Sequence, residues 1–400
     1  ADVYEYVIMT LEKAVSLLPE SAAGGRIDRF SAKALLAKVY LAKSGLGQTG
    51  TRNQADLDMA ASLAKDVMDN SGRELMENYE DIFRASNNFN KESLLAWHWY
   101  GSYNPYGCGN QLQAIFAMGG FTNTLTWGDW TVPSVDLQEA FGLDIFQNPE
   151  ERRNTDVRRK ATMMIAGDKY SYFWRNVGGF DYLKFLYDKE YNPDAKESLS
   201  SGTGANVVKG LVGNDEDHKA ELGYIGMKQS TGLSTHLIRL ADVYLIYVEA
   251  KIGNNASSTE ASVIDAFHAV HHRAVSADWE KPSSVSWEDV WKERRLELAY
   301  EGDRWFDFVR LSYYDPQRAI NELKSQKRSY YNGLDELYKT YWETGKWTVK
   351  PESMQYDTNP PVISVTESVF RFPMPEDDVI FNPNLSKEPI HVDVRAEYAY

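Results

Sequence analysis

The chain has 400 residues, of which 43% are hydrophobic and 25% charged, an ordinary balance for a globular protein with a sizeable core. Its net charge of −15 argues against nucleic-acid binding and against adsorption to an anionic membrane surface, since both need basic patches. The single Cys108 permits no internal disulfide, and no apolar run reaches the roughly 18 residues that a membrane-spanning helix needs.

The first predicted elements are amphipathic helices. Apolar residues spaced by three and four predict a helix from Asp2 to Leu18, which Pro19 ends. Ser31 is the expected N-cap of a second helix, which stops near Gly45. A third helix is predicted from Ala55 to Asn70, and its many alanines would let a partner helix approach closely.

The second and third helices have an echo two hundred residues later. The segment AKVYL at 37–41 is matched by ADVYL at 241–245, and ASL at 61–63 by ASV at 261–263. Helical hairpins with Ala, Leu and Tyr at packing positions are typical of tetratricopeptide-like units, which bury their faces by stacking. Two unrelated amphipathic helices that share common residues would give the same pattern.

The rest of the chain divides into helical and irregular parts. Ser286 and Asp289 predict a capping box at the start of a helix that continues to a break at Gly302. Residues 95–235 are rich in Gly, Asn and aromatic residues, and the chain from Tyr314 onward is similarly irregular. Such long irregular segments are usually functional or disordered. The sequence therefore predicts a mainly α fold with few short strands: a tetratricopeptide-like helical scaffold at 1–75 and 236–312, carrying an irregular ligand-binding part at 76–235 and 313–400.

Acidic residues that could suggest catalysis are concentrated between Glu293 and Arg310. A glycosidase needs two facing carboxylates, but arginines interleaved at helical spacing favour ion pairs instead. Catalytic acids need burial away from cations. Asp242 and Glu249 share one side of an apolar helix, where backbone amides or an arginine are expected to satisfy them. We predict a structural role for these acids and no catalytic residues.

Metal and nucleophile patterns are weak. His268 and His272 have the i, i+4 spacing that can bind a metal, but no carboxylate completes an H-E-x-x-H pattern. Cys108 has no evident base partner, and no G-x-S-x-G elbow or Gly-rich phosphate loop is evident. We therefore predict no metal, no cofactor and no enzymatic activity.

Aromatic residues in the irregular part are the main functional signal, in clusters at 97–106, 121–130 and 170–182. A flat ring can cover the weakly apolar face of a sugar, while Asn, Asp and Arg pair with its hydroxyls. At positions expected to be exposed among turn residues, the predicted ligand-binding residues are Tyr103, Asn104, Tyr106, Asn110, Trp127, Asp129, Trp130, Trp174 and Arg175. Many of the rings could instead fill a core. Of Trp97 and Trp99, which have strand-like spacing, we expect at least one to be buried.

Three segments together resemble the SusD/RagB family of outer-membrane nutrient-binding lipoproteins. They are LIRLADVYLIYVEA at 237–250, ERRLELAYEGDRWFD at 293–307 with Arg310, and FPMP at 372–375 followed by NPNL at 382–385. Weaker likenesses at 90–95 and 133–137 keep the family's order, so the resemblance covers nearly the whole chain.

The sequence departs from the family pattern at both ends. Family members normally carry a longer N-terminal part with a lipidated Cys. Because this sequence opens inside a predicted helix, without initiator Met or signal peptide, we expect that part to be missing. The tail after Leu385 reads SKEP and differs from the usual Gln-Asn-Pro ending.

The resemblance implies a non-enzymatic protein that binds glycans at the outer face of the Gram-negative outer membrane. An N-terminal lipid, absent from this chain, would anchor it there, and it would deliver its ligand to a TonB-dependent, SusC-like β-barrel transporter. At least one branch of the family binds peptides, so a peptide ligand is an alternative. A helical glycoside hydrolase and a pure protein-interaction scaffold are two others.

Overall fold

A computed structural model of the chain describes residues 1–101, 108–123, 125–128, 131–152, 155–227, 229–275, 279–358 and 364–398. The first α-helices are α1 (Asp2–Leu17), α2 (Arg29–Lys43), α3 (Gln54–Asn70), α4 (Leu112–Phe116), α5 (Val135–Ala140), α6 (Val157–Thr162), α7 (Tyr182–Tyr187) and α8 (Asp215–Leu222). They are followed by α9 (Leu240–Ile252), α10 (Ala261–His272), α11 (Trp287–Glu297), α12 (Asp303–Ser312), α13 (Pro316–Ser325), α14 (Leu334–Thr344), α15 (Glu376–Phe381) and α16 (Val394–Glu397).

The β-strands are few and short. They are β1 (Ser93–Trp97), β2 (Met163–Ile165), β3 (Lys169–Tyr170), β4 (Phe180–Asp181), β5 (Ala205–Val207), β6 (Thr235–Arg239), β7 (Ser257–Ser258) and β8 (Val285–Ser286). They form the antiparallel pairs β1–β6, β2–β5, β3–β4 and β7–β8, which join loops to helices. The predicted mainly α fold with few short strands is confirmed. In the part of the chain that the structure describes, no helix is long and apolar enough to cross a membrane.

The central core is a stack of helices. α1 packs on α2, α2 on α3, α3 on α9, and α9 on both α10 and α11. Ala34, Ala37, Ala60, Ala64 and Ala241 are completely buried in this stack, and their small side chains let helix axes approach closely. The two predicted hairpins, α2–α3 and α9–α10, are therefore packed against each other.

Helix boundaries follow cap chemistry. Ser286 and Asp289 form the predicted capping box at the start of α11. The predicted N-cap of α2 is wrong, because the cap is Asp28, whose carboxylate accepts a hydrogen bond from the Ser31 amide at 2.9 Å. α11 ends at Glu297, earlier than predicted, and α12 starts after Gly302, which has φ +92°.

The irregular structure expected after Tyr314 is wrong where the chain forms α13, α14, α15 and α16, of which α13 and α14 are the longest. α13 is capped by Asp315, begins with Pro316, and buries Ala319, Ile320 and Leu323. α14 buries Leu334, Leu337 and Tyr338, which are spaced by three and four. Both helices have ordinary amphipathic patterns, and α13 packs on α12.

A second core is built largely from aromatic rings of the loop-rich part. Phe121 contacts Phe173 edge to face at 5.3 Å and Phe180 at 5.1 Å. Trp174 contacts Phe185 at 5.2 Å between ring centroids. Most rings of the cluster at 170–182 therefore contribute to packing, which is the alternative that the sequence had left open.

A buried ion network joins α11 to the loop-rich part. Glu297 accepts hydrogen bonds from Arg158 at 2.9 Å and Arg239 at 2.6 Å, and also from Arg273. Glu293 binds Arg158 at 2.5 Å. Burial disfavours the charge on Glu297, but the three arginines outweigh burial and lower its pKa below the usual value. The predicted ion pairing of these acids is confirmed.

The acids of α9 are also paired with cations. Asp242 accepts hydrogen bonds from Arg294 at 2.6 Å and Lys38 at 2.8 Å. Glu249 binds Arg52 at 2.8 Å and the Nη2 of Arg310 at 2.7 Å. The prediction that arginine satisfies these buried carboxylates is confirmed.

The ion pairs of Glu249 with Arg52 and Arg310 make the stability of the fold depend on pH. Burial disfavours the charge on Glu249, but Arg310 and Arg52 outweigh burial and lower the carboxyl pKa from 4.5 to about 2. A carboxyl with a lowered folded-state pKa stabilises the fold above its unfolded pKa, and this contribution is lost as pH falls through the folded value. We expect the free energy of unfolding, measured with urea, to fall between pH 4.5 and 2. Glu249→Gln should be less stable at pH 7 and lose less over that interval; parallel pH profiles would contradict the assignment.

Candidate functional site

Five of the predicted ligand-binding residues, Tyr103, Asn104, Tyr106, Asp129 and Trp130, lie outside the described residues. Their role as ligand contacts stays a prediction. The structure places the other four, Asn110, Trp127, Trp174 and Arg175, in different environments.

Asn110 lies in the interior, so its predicted exposure is wrong: only 2% of it is accessible. Its side-chain amide donates to the Leu233 carbonyl at 2.8 Å and to Thr235 Oγ1 at 3.3 Å. Its backbone pairs with Thr231. These contacts of Asn110 hold the segment that leads into β6 in place, and with it Thr235 at the start of the strand.

Trp174 and Arg175 lie on the aromatic core of the loop-rich part. Trp174 is only 8% exposed, so its predicted exposure is also wrong. The ring is buried because its Nε1 donates to the Phe121 carbonyl at 2.9 Å and its face stacks on Tyr191. Arg175 is half-buried and donates to Glu221 at 2.6 Å. Ligand contact by either residue stays a prediction.

Trp127 keeps an exposed face. Its side chain is 38% accessible, and its backbone N–H donates to the Ala114 carbonyl at 2.8 Å. Ala114 belongs to α4, which begins two residues after Asn110. The Trp127 backbone is therefore held by α4, which follows Asn110 and its contacts to the segment leading into β6.

Aromatic rings are displayed to solvent where β1 ends. Trp97 and Tyr100 are each 57% exposed, and Trp99 between them is half-buried. The Trp97 and Trp99 rings meet edge to face, with centroids 6.0 Å apart. The expectation that at least one of the two tryptophans is buried is wrong. We refer to Trp97, Trp99 and Tyr100 as the aromatic shelf.

The shelf is held in place by β6 and its neighbours. Trp97 lies opposite Thr235 in the β1–β6 ladder. The Trp99 Nε1 donates to Thr235 Oγ1 at 2.9 Å, the same oxygen that Asn110 contacts. The Tyr100 ring contacts Tyr224 at 5.3 Å. Because these contacts hold the rings in place, little ordering would be needed on binding.

An imidazole and a hydroxyl group lie beside the shelf. His98 Nδ1 lies 2.8 Å from the Ser234 hydroxyl, and its ring stacks on Phe89 with centroids 4.3 Å apart. Burial lowers the pKa of His98 below its usual 6.5, so the imidazole is uncharged at neutral pH. Flat rings with nearby hydroxyls and an uncharged imidazole suit an uncharged ligand that has both apolar faces and hydroxyl groups.

The described ranges contain no group of three or more His, Cys, Asp or Glu arranged to hold a metal ion. The His268 and His272 rings, which have metal-ligand spacing in the sequence, stack on each other with centroids 4.8 Å apart.

Trp97, Trp99 and Tyr100 belong to the aromatic cluster at 97–106, but none of them is among the ligand-binding residues predicted from the sequence. The signal that could have identified them is the pattern Trp-x-Trp-Tyr at 97–100, which begins at the last residue of β1 and continues into the loop that follows.

The chain is similar to known proteins along most of its length. The family model for the SusD family matches residues 63–391. A SusD-like protein of Bacteroides ovatus is 33% identical over 398 residues, which cover 97% of this chain. The chain spans 66% of the length of that curated relative, just under two thirds.

Solved structures show the same fold. A crystal structure of a protein with xylogluco-oligosaccharide has a TM-score of 0.76 and 32% identity, covering 97% of this chain and 72% of that one. A laminarin-binding SusD-like protein, at 23% identity, has a TM-score of 0.54 and covers 80% of this chain and 62% of its own. Since the family model matches most of its length, this chain belongs to the SusD family.

Proposed function

We propose that this chain captures oligosaccharides or polysaccharides on the aromatic shelf and delivers them to a TonB-dependent, SusC-like transporter. The observation that carries the proposal is the exposed Trp97 ring, held beside Trp99 and Tyr100 at the end of β1. The xylogluco-oligosaccharide in a structure 32% identical to this chain supports a glycan as the ligand class.

The energetics of ring stacking fit a protein that passes its ligand on. Covering about 100 Å² of apolar surface yields on the order of 2.5 kcal/mol before losses. Two or three rings would therefore give dissociation constants from roughly millimolar to micromolar. Such binding is weak enough for release, while capture beside a pore raises the local concentration of the ligand.

The proposal also includes the membrane setting that is general for the family. The protein would lie on the outer face of the outer membrane, anchored by a lipid on an N-terminal part, with the transporter beneath it. No catalytic step is involved. Tyr103, Asn104 and Tyr106 follow Tyr100 closely along the chain, and Asp129 and Trp130 follow Trp127, so they keep their place as proposed ligand contacts.

Binding screens test the ligand class. The purified chain would be applied to a glycan array and, in parallel, to a peptide library, and each hit titrated by calorimetry. We expect saturable binding to at least one glycan and no peptide binding. Peptide binding with a silent glycan array would replace glycan by peptide, and silence in both screens would contradict a binding role for the shelf. Release of reducing ends from a bound glycan would overturn the non-catalytic assignment.

A further inference from the structure

A recess of about 400 Å³ opens beside the aromatic shelf. It lies between α4, the start of β6 and the loop that joins α11 to α12. Thr235 borders both places, because it lines the recess and also accepts the hydrogen bond from Trp99. A ligand lying on the shelf could therefore extend a substituent into the recess.

The wall of the recess is mainly apolar and aromatic. Phe83, Phe116 and Tyr300 contribute rings, and Leu112 and Leu233 contribute aliphatic surface. The Tyr300 ring meets Phe116 edge to face at 5.6 Å. A volume of this size with such a lining is typical of small-molecule sites.

Tyr300 is held in a strained backbone conformation. Its φ of +62° is in the left-handed region, which bulky L residues rarely adopt. The next residue, Glu301, is anchored to Arg239 at 2.7 Å and to Lys209 at 2.9 Å, and these buried ion pairs fix the loop. Strained residues that are fixed by their surroundings cluster at ligand sites, so the position of this ring is consistent with a binding function.

The two charged side chains that line the recess, Lys209 and Glu301, are paired with each other. Lys209 is paired with Glu301, donates to Tyr79 Oη at 2.7 Å, and lies over the Phe83 ring at 4.2 Å. Its charge is therefore compensated. The hydroxyl-bearing Ser234 and Thr235 also line the recess. Aromatic walls with hydroxyl groups at one side suit an uncharged aromatic group that carries an ester oxygen.

We propose that the recess binds an aromatic acyl ester carried by the glycan. The sugar backbone would lie on the shelf, and the aryl group would lie in the recess against the paired rings of Phe116 and Tyr300. This assignment names the class of glycan that the shelf would bind, and it therefore rests on the proposed function. Glycans esterified with aromatic acids would then be preferred over the same glycans without the ester.

The recess can be tested without a sugar. The probe is ethyl ferulate, an uncharged aromatic ester, titrated against the purified chain with ligand-observed NMR. We expect saturable binding in the millimolar range. Thr131 is an exposed residue that lines the recess, so Thr131→Trp should fill the recess and weaken binding at least fivefold. Thr131→Phe is a smaller second filler, and thermal unfolding checks that both variants fold. Trp342→Ala, on α14, is the matched aromatic control and should bind as the unmodified chain does.

The outcomes separate the two proposals. Absence of saturable ethyl ferulate binding, or binding that neither Thr131 variant weakens, would overturn the recess assignment and leave glycan capture on the shelf intact. Ethyl ferulate binding in a chain that binds no glycan would support the recess and contradict the proposed function.

Discussion

Glu297→Gln is expected to lower the free energy of unfolding by about 3–5 kcal/mol, the usual cost of removing one partner from a buried ion pair. The Glu297 carboxylate is completely buried and holds Arg158, Arg239 and Arg273. Without the negative charge of Glu297, these buried guanidinium groups would lose much of the attraction that offsets the cost of removing them from water. The same network joins α11 to α6 and β6, so its loss would loosen the contact between the helical stack and the loop-rich part.

Urea unfolding at pH 7, followed by tryptophan fluorescence, measures this effect. The matched control is Glu139→Gln, which removes an acid paired with Lys327 at 2.7 Å on the surface. Water already screens that pair, so the control should change stability little. Equal unfolding free energies for the two variants would show that the buried network does not stabilise the fold as proposed.

Trp97→Ala is expected to weaken binding of the selected glycan by roughly tenfold or more. Loss of about 100 Å² of stacking surface corresponds to on the order of 2.5 kcal/mol, and each 1.4 kcal/mol is a tenfold change in affinity. The Trp97 ring is more than half exposed, so its removal should leave the fold intact. Calorimetric titration gives the affinity, and circular dichroism checks the fold.

A second pair of variants tests whether location or exposure alone matters. Trp127, attached to α4, and Trp342, on α14, have almost the same exposed fraction, 38% and 37%. We expect Trp127→Ala to weaken glycan binding and Trp342→Ala, whose ring stacks on Tyr187, to leave it unchanged. Equal effects of Trp97→Ala and Trp342→Ala would mean that the shelf is not the binding surface.

The parts of the fold that could be predicted from the sequence depend on local chemistry. The boundaries of α1 and α3, and the capping box of α11, follow from helical period and from side chains that bond to nearby backbone. The pairing of Asp242 and Glu249 followed from the cost of burying a lone carboxylate. Asp315 and Pro316 are a local start signal for α13, so this helix is also specified by local chemistry.

The candidate site could be predicted only in part, because exposure is set by contacts between distant segments. Trp97 and Trp174 occur in similar aromatic surroundings in the sequence. Trp97 lies opposite Thr235 of β6 at the last residue of β1 and is exposed, whereas Trp174 is covered by Tyr191 and donates to the carbonyl of Phe121. The hydrogen bond of the Asn110 amide to Leu233 likewise depends on a contact that no local pattern specifies.

The most direct test of the binding surface is a crystal structure of the chain with the oligosaccharide that the array selects. The shelf assignment predicts a sugar ring lying face-on against Trp97 at about 4 Å, the normal separation of carbon atoms in contact, with Trp99 and Tyr100 beside it. An oligosaccharide bound elsewhere, with the Trp97 ring still open to water, would contradict it.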